Sequence, residues 1–215
     1  MIVSHKHKFI FIKTVKTAGT SIEVELNKIL GPDDIATPVA PPVKGHEPQN
    51  HDGNVKMRLE NHMTARSIRD YVGERIFNDY FVFCVEREPV DKCISYYSML
   101  KNSPFHSKGN RNMSFKHYMS KGQFPIDVDK YVDENKNIMA DKVIKYENLT
   151  DELREIGERL GFKIDMKSKV KSGFRENFHV NKSHVKTIYK AFEESNFFTG
   201  YTMEAYQSPT SNIMA

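Results

Sequence analysis

Two uninterrupted apolar runs, Phe9-Ile10-Phe11-Ile12 and Tyr80-Phe81-Val82-Phe83-Cys84-Val85, constrain this chain more than anything else in it. A strand wetted on one face alternates apolar and polar residues. A run without alternation suits a strand buried on both faces, as in a parallel sheet. Each run is followed by a short loop and then by a helical stripe. After the first come Ile22, Leu26, Ile29 and Leu30, with Gly31-Pro32 as the expected stop. After the second come Val90, Cys93, Ile94, Tyr97 and Leu100. Residues 64–72 read as a short helix and 142–146 as a third strand. Leu149, Leu153, Ile156 and Leu160 mark a helix ended by Gly161. Further helices are expected around 115–119 and around Val185, Ile188, Tyr189 and Phe192. Strands alternating with helices predict an α/β domain with a mostly parallel sheet flanked by helices. Ligands in such sheets bind at the carboxyl ends of the strands, so loops 13–21 and 86–89 are the expected site.

With 215 residues, one domain over 1–205 is expected, followed by a flexible tail at 206–215. Residues 32–54 form a long irregular loop with five of the nine prolines, and long loops of this kind are usually functional or disordered. The longest apolar run is six residues, against about 20 for a membrane span. Residues 1–8 have no apolar stretch behind them, so no signal peptide and no membrane insertion are expected. Cys84 and Cys93 lie in apolar contexts and are expected to be reduced core residues, in keeping with a cytoplasmic protein. The net charge of +4 is too small to argue for nucleic acid. Its distribution is uneven: residues 1–16 and 163–190 are both rich in lysine, and the two stretches could converge on one anion or be two solvated faces.

Lys16-Thr17-Ala18-Gly19-Thr20-Ser21 joins a buried strand to a helix N-terminus. Unpaired N–H groups and the positive helix end favour an anion there. Gly19 permits close approach, Thr20 and Ser21 can cap the helix or donate to oxyanions, and Lys16 supplies charge. A capped helix with a surface lysine is the plain alternative. No two glycines stand five or two apart, so neither GxxxxGK[ST] nor GxGxxG is present. In the second loop Arg87 leaves the strongest strand and Ser95 lies two turns into the next helix. A guanidinium there can fork onto a phosphate, or else pair with Glu86, Glu88 or Asp91.

The segments Phe-Ile-Lys-Thr-Val-Lys-Thr-Ala-Gly-Thr-Ser (11–21) and Val-Glu-Arg-Glu-Pro-Val-Asp-Lys-Cys-Ile-Ser-Tyr-Tyr-Ser (85–98) resemble the two cofactor motifs of sulfotransferases that use 3′-phosphoadenosine-5′-phosphosulfate (PAPS). The likeness is to the carbohydrate group, including heparan-sulfate 2-O-sulfotransferase and its bacterial relatives. Lys145-Tyr146-Glu147-Asn148-Leu149, His179-Val180-Asn181-Lys182-Ser183 and Gly200-Tyr201 resemble later motifs of the family. Val15 departs from the pattern, which usually has proline, so a looser loop is expected. The resemblance implies a P-loop-like three-layer fold. It implies that Lys16, Thr17, Ala18, Gly19, Thr20 and Ser21 hold the 5′-phosphosulfate, with Lys16 at the bridging oxygen. Arg87 and Ser95 would hold the 3′-phosphate, Lys182 and Ser183 would close over the cofactor, and no metal is required.

An attacking hydroxyl must lose its proton, and histidine suits that near neutral pH. His62, in Asn61-His62-Met63-Thr64-Ala65, stands where carbohydrate sulfotransferases carry a base histidine, and it is the expected base; a helix-capping or buried structural role is the alternative. His46 and His51 are second choices, as substrate contacts or plain surface. The expected activity is transfer of a sulfuryl group from PAPS to a small-molecule or glycan hydroxyl, releasing 3′,5′-ADP. Two other readings stay open: a nucleotide-dependent phosphotransferase with a divergent phosphate loop, which should need Mg²⁺, and a non-catalytic nucleotide-binding module.

Overall fold

A computed structural model of the chain describes residues 1–52, 59–107, 110–167, 173, 175–176 and 179–206. The tail expected to be flexible lies outside the described residues except for Tyr206. The chain divides into two compact units, one of residues 1–86 and 127–170, the other of residues 87–126 and 171–215.

The first unit is built on a five-stranded sheet. In chain order the strands are β1 (Ile2–Ser4), β2 (Phe9–Ile12), β3 (Ile35–Ala36), β4 (Phe81–Glu86) and β5 (Lys142–Lys145), and their spatial order is β3-β1-β2-β4-β5. β4 pairs in parallel with β2 and with β5, four residues to each ladder, while β1 pairs antiparallel with β2 and β3 over three and two. The sheet is therefore mostly parallel. β2 and β4 are buried along their whole length, which is why neither alternates. Their register sets Phe9 against Phe81 and Phe11 against Phe83. These rings share one face, with Phe11 and Phe83 centroids 5.3 Å apart. That face packs with Ile22 and Leu26 of helix α1 (Gly19–Asn27) and with Leu153 and Ile156 of helix α6 (Leu149–Leu160). Gly161 ends α6 in the left-handed conformation, φ 75°, as its position predicts. Two short helices, α2 (Ala65–Val72) and α3 (Glu74–Asp79), precede β4.

Three local expectations need correction. β1 was not legible in the lysine-rich start of the chain. α1 stops at Asn27, a turn before Gly31-Pro32. The loop expected to be irregular over 32–54 contributes β3, and Ala36 bridges Gln49. Asp34 organises this stretch by accepting from Ser4 Oγ and from the N–H groups of Lys6 and Gly31.

The second unit is helical: α4 (Pro89–Asn102), α5 (Phe115–Lys121), α7 (Lys182–Ala191) and α8 (Glu193–Thr199). Its core gathers Cys93, Tyr97, Tyr118, Ile188 and Phe192. Cys84 and Cys93 are both free and buried. Among the described residues, no helix is long and apolar enough to cross a membrane.

Candidate functional site

The loop between β2 and α1 is held from both sides. Thr14, buried at its start, donates its hydroxyl to the Val85 carbonyl at the end of β4, and its Oγ1 lies 2.8 Å from Thr17 Oγ1. Thr17 is therefore turned inward, and what it offers an anion is its backbone. Lys16 and Ala18 both adopt positive φ, 62° and 60°. For residues with a Cβ this costs about 1 kcal/mol each, and such strain gathers at functional sites. Ala18 is the N-cap of α1 and no side chain caps the helix. This corrects the expectation that Thr20 or Ser21 would cap; both lie within the first turn. The helix end thus presents its N–H groups and dipole with no capping side chain in the way.

Val15 does not leave this loop slack. Its N–H, which a proline would lack, donates to Asp127 Oδ2 at 2.8 Å. Asp127 is buried, and its other oxygen pairs with Lys130 at 2.7 Å. A tertiary hydrogen bond supplies the restraint that the family's proline supplies through its ring.

Beneath the loop runs a buried charge pair. Lys13 Nζ lies 2.5 Å from Glu23 Oε2, with the side chains 5% and 0% exposed. Glu23 Oε1 lies 2.6 Å from the Met1 amine. Burial alone would raise the Glu23 carboxyl, but these two cations overcome it and hold Glu23 below the usual carboxylate range.

His62 precedes α2 with a left-handed backbone, φ 63°, and Thr64 caps that helix by accepting from Ser67 N–H. Its Nδ1 lies 3.0 Å from the Lys13 carbonyl. A carbonyl only accepts, so Nδ1 carries the proton and Nε2 keeps its lone pair. Burial pushes His62 down to about 4, and the Lys13 and Lys130 charges act in the same sense, against Asp127 and the Lys13 carbonyl. At neutral pH it is an unprotonated acceptor. Of the second choices, His46 is buried with neither ring nitrogen hydrogen-bonded, and His51 lies 3.2 Å from Asp52.

The other expected residues belong to the second unit. Arg87 pairs through Nε with Asp91, whose other oxygen holds Arg175. This is the ion pair weighed against phosphate binding in the sequence, and an anion would have to join or displace it. Ser95 is half-buried on α4. Glu88 caps α4 by accepting from Val90 and Asp91 N–H, and it accepts from Tyr189 Oη of α7 at 2.9 Å. Lys182 and Ser183 open α7, both exposed. The Ser183 hydroxyl donates to Asn181, the cap of that helix. Within the first unit, then, Lys16–Ser21 and His62 are linked through Lys13. Within the second, Arg87 precedes α4 by two residues and Ser95 lies on it, and α4 packs on the helix that Lys182 and Ser183 begin. Among the described residues no three His, Cys, Asp or Glu side chains gather as metal ligands.

The sequence reading missed Lys13, Glu23 and Asp127. A lysine directly after a buried strand was a signal for the first; Asp127 acts 112 residues from its partner and left none.

A protein-family model described as the sulfotransferase family matches residues 1–206. The chain belongs to the sulfotransferase family. The match takes in both loops, His62 and the start of α7, and the chemistry of the family is sulfuryl transfer. An uncharacterized protein of Archaeoglobus fulgidus is 27% identical to this chain over 120 residues, spanning 54% of this chain and 97% of that protein. No solved structure matches the chain significantly.

Proposed function

We propose that this protein is a PAPS-dependent sulfotransferase acting on an acceptor hydroxyl of a carbohydrate, in the cytoplasm. One observation carries the reading: an uncapped helix N-terminus behind a loop strained at Lys16 and Ala18 shares the residue Lys13 with His62, whose Nε2 is free of its proton. The donor set of backbone N–H, ammonium and guanidinium suits phosphate and sulfate oxygens. The carbohydrate assignment rests on the resemblance around His62.

In this reading Lys16 and the N–H groups of residues 17–21 bind the 5′-phosphosulfate, and Arg87 and Ser95 bind the 3′-phosphate. Lys182 and Ser183 close over the nucleotide. PAPS supplies the sulfuryl group, whose bond to the 5′-phosphate oxygen breaks as the acceptor oxygen bonds to sulfur. His62 Nε2 takes the acceptor proton. Lys16 neutralises the charge that grows on the bridging oxygen, in a position where a fixed charge costs no reorganisation.

Thermal melting with 3′,5′-ADP, 5′-ADP and AMP, without metal, tests the cofactor class. At 100 times its dissociation constant a ligand adds about 2.7 kcal/mol, a rise of roughly 5–10 °C for a chain this size. The expected result is stabilisation by 3′,5′-ADP that Arg87→Ala abolishes. An equal response to all three nucleotides would point instead to a general nucleotide site, and no response to any would overturn the reading.

A further inference from the structure

Three contacts meet on Lys13, at the junction of β2 and the loop. Its carbonyl accepts from His62 Nδ1 at 3.0 Å. Its stem fills the space beneath Gly19, where a Cβ would come within 2.7 Å of Lys13 Cγ and 3.0 Å of Cε. Its ammonium is tied 2.5 Å from Glu23 on α1, the helix that Gly19 begins. Backbone, stem and charge of one side chain thus address the base, the floor of the anion loop and the helix behind it.

Stability alone does not account for such a pair. Two buried charges cost several kcal/mol each to desolvate, and apolar residues of like volume often do as well or better. A methionine at 13 would fill the same space beneath Gly19. We propose that Lys13 and Glu23 are a positioning pair that fixes the anion loop and the base histidine to one another. Neither side chain touches the reacting atoms; the ion pair ties the end of β2, and with it the Lys13 carbonyl and stem, to α1. The inference rests on reading residues 16–21 as the anion loop and His62 as the base. The pair has an electrostatic consequence as well. The charged groups acting on His62 are Lys13, Asp127 and Lys130, and the Lys13 ammonium opposes protonation of the ring.

The test uses the full chain and the double variant Lys13→Met/Glu23→Gln, which removes both charges of the pair while the amide oxygen introduced at position 23 and Thr37 Oγ1 still accept from the Met1 amine. Two measurements are made: NMR titration of the His62 Cε1–H, and calorimetric titration with 3′,5′-ADP. The expected result is a folded protein whose His62 titrates above its wild-type value, with burial still holding it below the ordinary value for histidine. Its 3′,5′-ADP dissociation constant rises about tenfold, equivalent to about 1.4 kcal/mol, because the anion loop is no longer tied to α1. A folded double variant with both quantities unchanged overturns the pair's role. Wild-type protein that ignores 3′,5′-ADP, while His62 still responds to the double substitution, overturns the cofactor reading and supports the link between Lys13 and His62. Should the double variant not fold, Gly19→Ala asks the same question by geometry. Its Cβ must displace the Lys13 stem, and an unmoved His62 resonance then overturns the proposal.

Discussion

Burial holds the folded His62 near 4, while the unfolded chain titrates it near 6.5. Between these values the unfolded chain binds a proton that the folded protein does not. Stability is therefore whole above about pH 6.5 and falls as the pH drops toward 4, by about 3 kcal/mol over the full window. His46, also pushed down by burial, acts in the same sense. His62→Ala should thus flatten part of the slope, read as a smaller drop in urea midpoint between pH 7 and pH 5 than wild type shows. An equally steep drop would refute His62's share. Gly19 makes a second prediction. Alanine favours a helix by up to about 1 kcal/mol, but its Cβ would meet Lys13 Cγ at 2.7 Å, and overpacking a tight site costs about 1–3 kcal/mol. Gly19→Ala should lower the melting temperature despite the better helix former. His62 and Gly19 were both legible in the sequence by motif. That both meet Lys13, one at its carbonyl and one at its stem, was not.

At the scale of elements, the two buried strands and the helices after them were readable from apolar pattern alone. β1 escaped because three residues show no period, and its burial comes from pairing with β2 and β3. α1 ends early although its apolar stripe runs on; Ile29 and Leu30 stay packed on the core from a turn. The capped start of α4 gives a prediction of its own. Glu88 satisfies two N–H groups and the Tyr189 hydroxyl, and burial keeps its carboxyl above the usual range. Glu88→Ala should cost about 1–2 kcal/mol in denaturant unfolding, and Tyr189→Phe less, since it removes only the α7 contact. Asp127→Ala should cost about 1–3 kcal/mol by stranding the Val15 N–H. A cost near zero would show that water satisfies that N–H.

For the whole molecule, the proposed phosphate contacts are cations, backbone N–H groups and the hydroxyls of Ser95 and Ser183. Binding of 3′,5′-ADP should therefore weaken with salt, because mobile ions screen exposed charges over about 10 Å at 0.1 M and 3 Å at 1 M. The melting shift that the nucleotide produces at 0.05 M KCl should shrink markedly at 0.5 M. A salt-independent shift would indicate that the adenine, rather than the phosphates, dominates binding. The chain crosses between the units after residues 86, 126 and 170. Neither composition nor a linker marks those crossings, so the division was not visible in the sequence.

The sequence by itself determined the main buried strands and the helices after them, the two loops on which anion binding is proposed and the free state of both cysteines. Each of these follows from neighbours within a few residues, where apolar period and loop composition act. Only the tertiary structure decided that Val15 is restrained by Asp127, that Thr14 is anchored to Val85, and that the His62 tautomer is set by Lys13. Those contacts join residues 49 to 112 positions apart. Hydrogen bonds and buried charges are satisfied wherever the folded chain brings a partner, and no local pattern records where that will be.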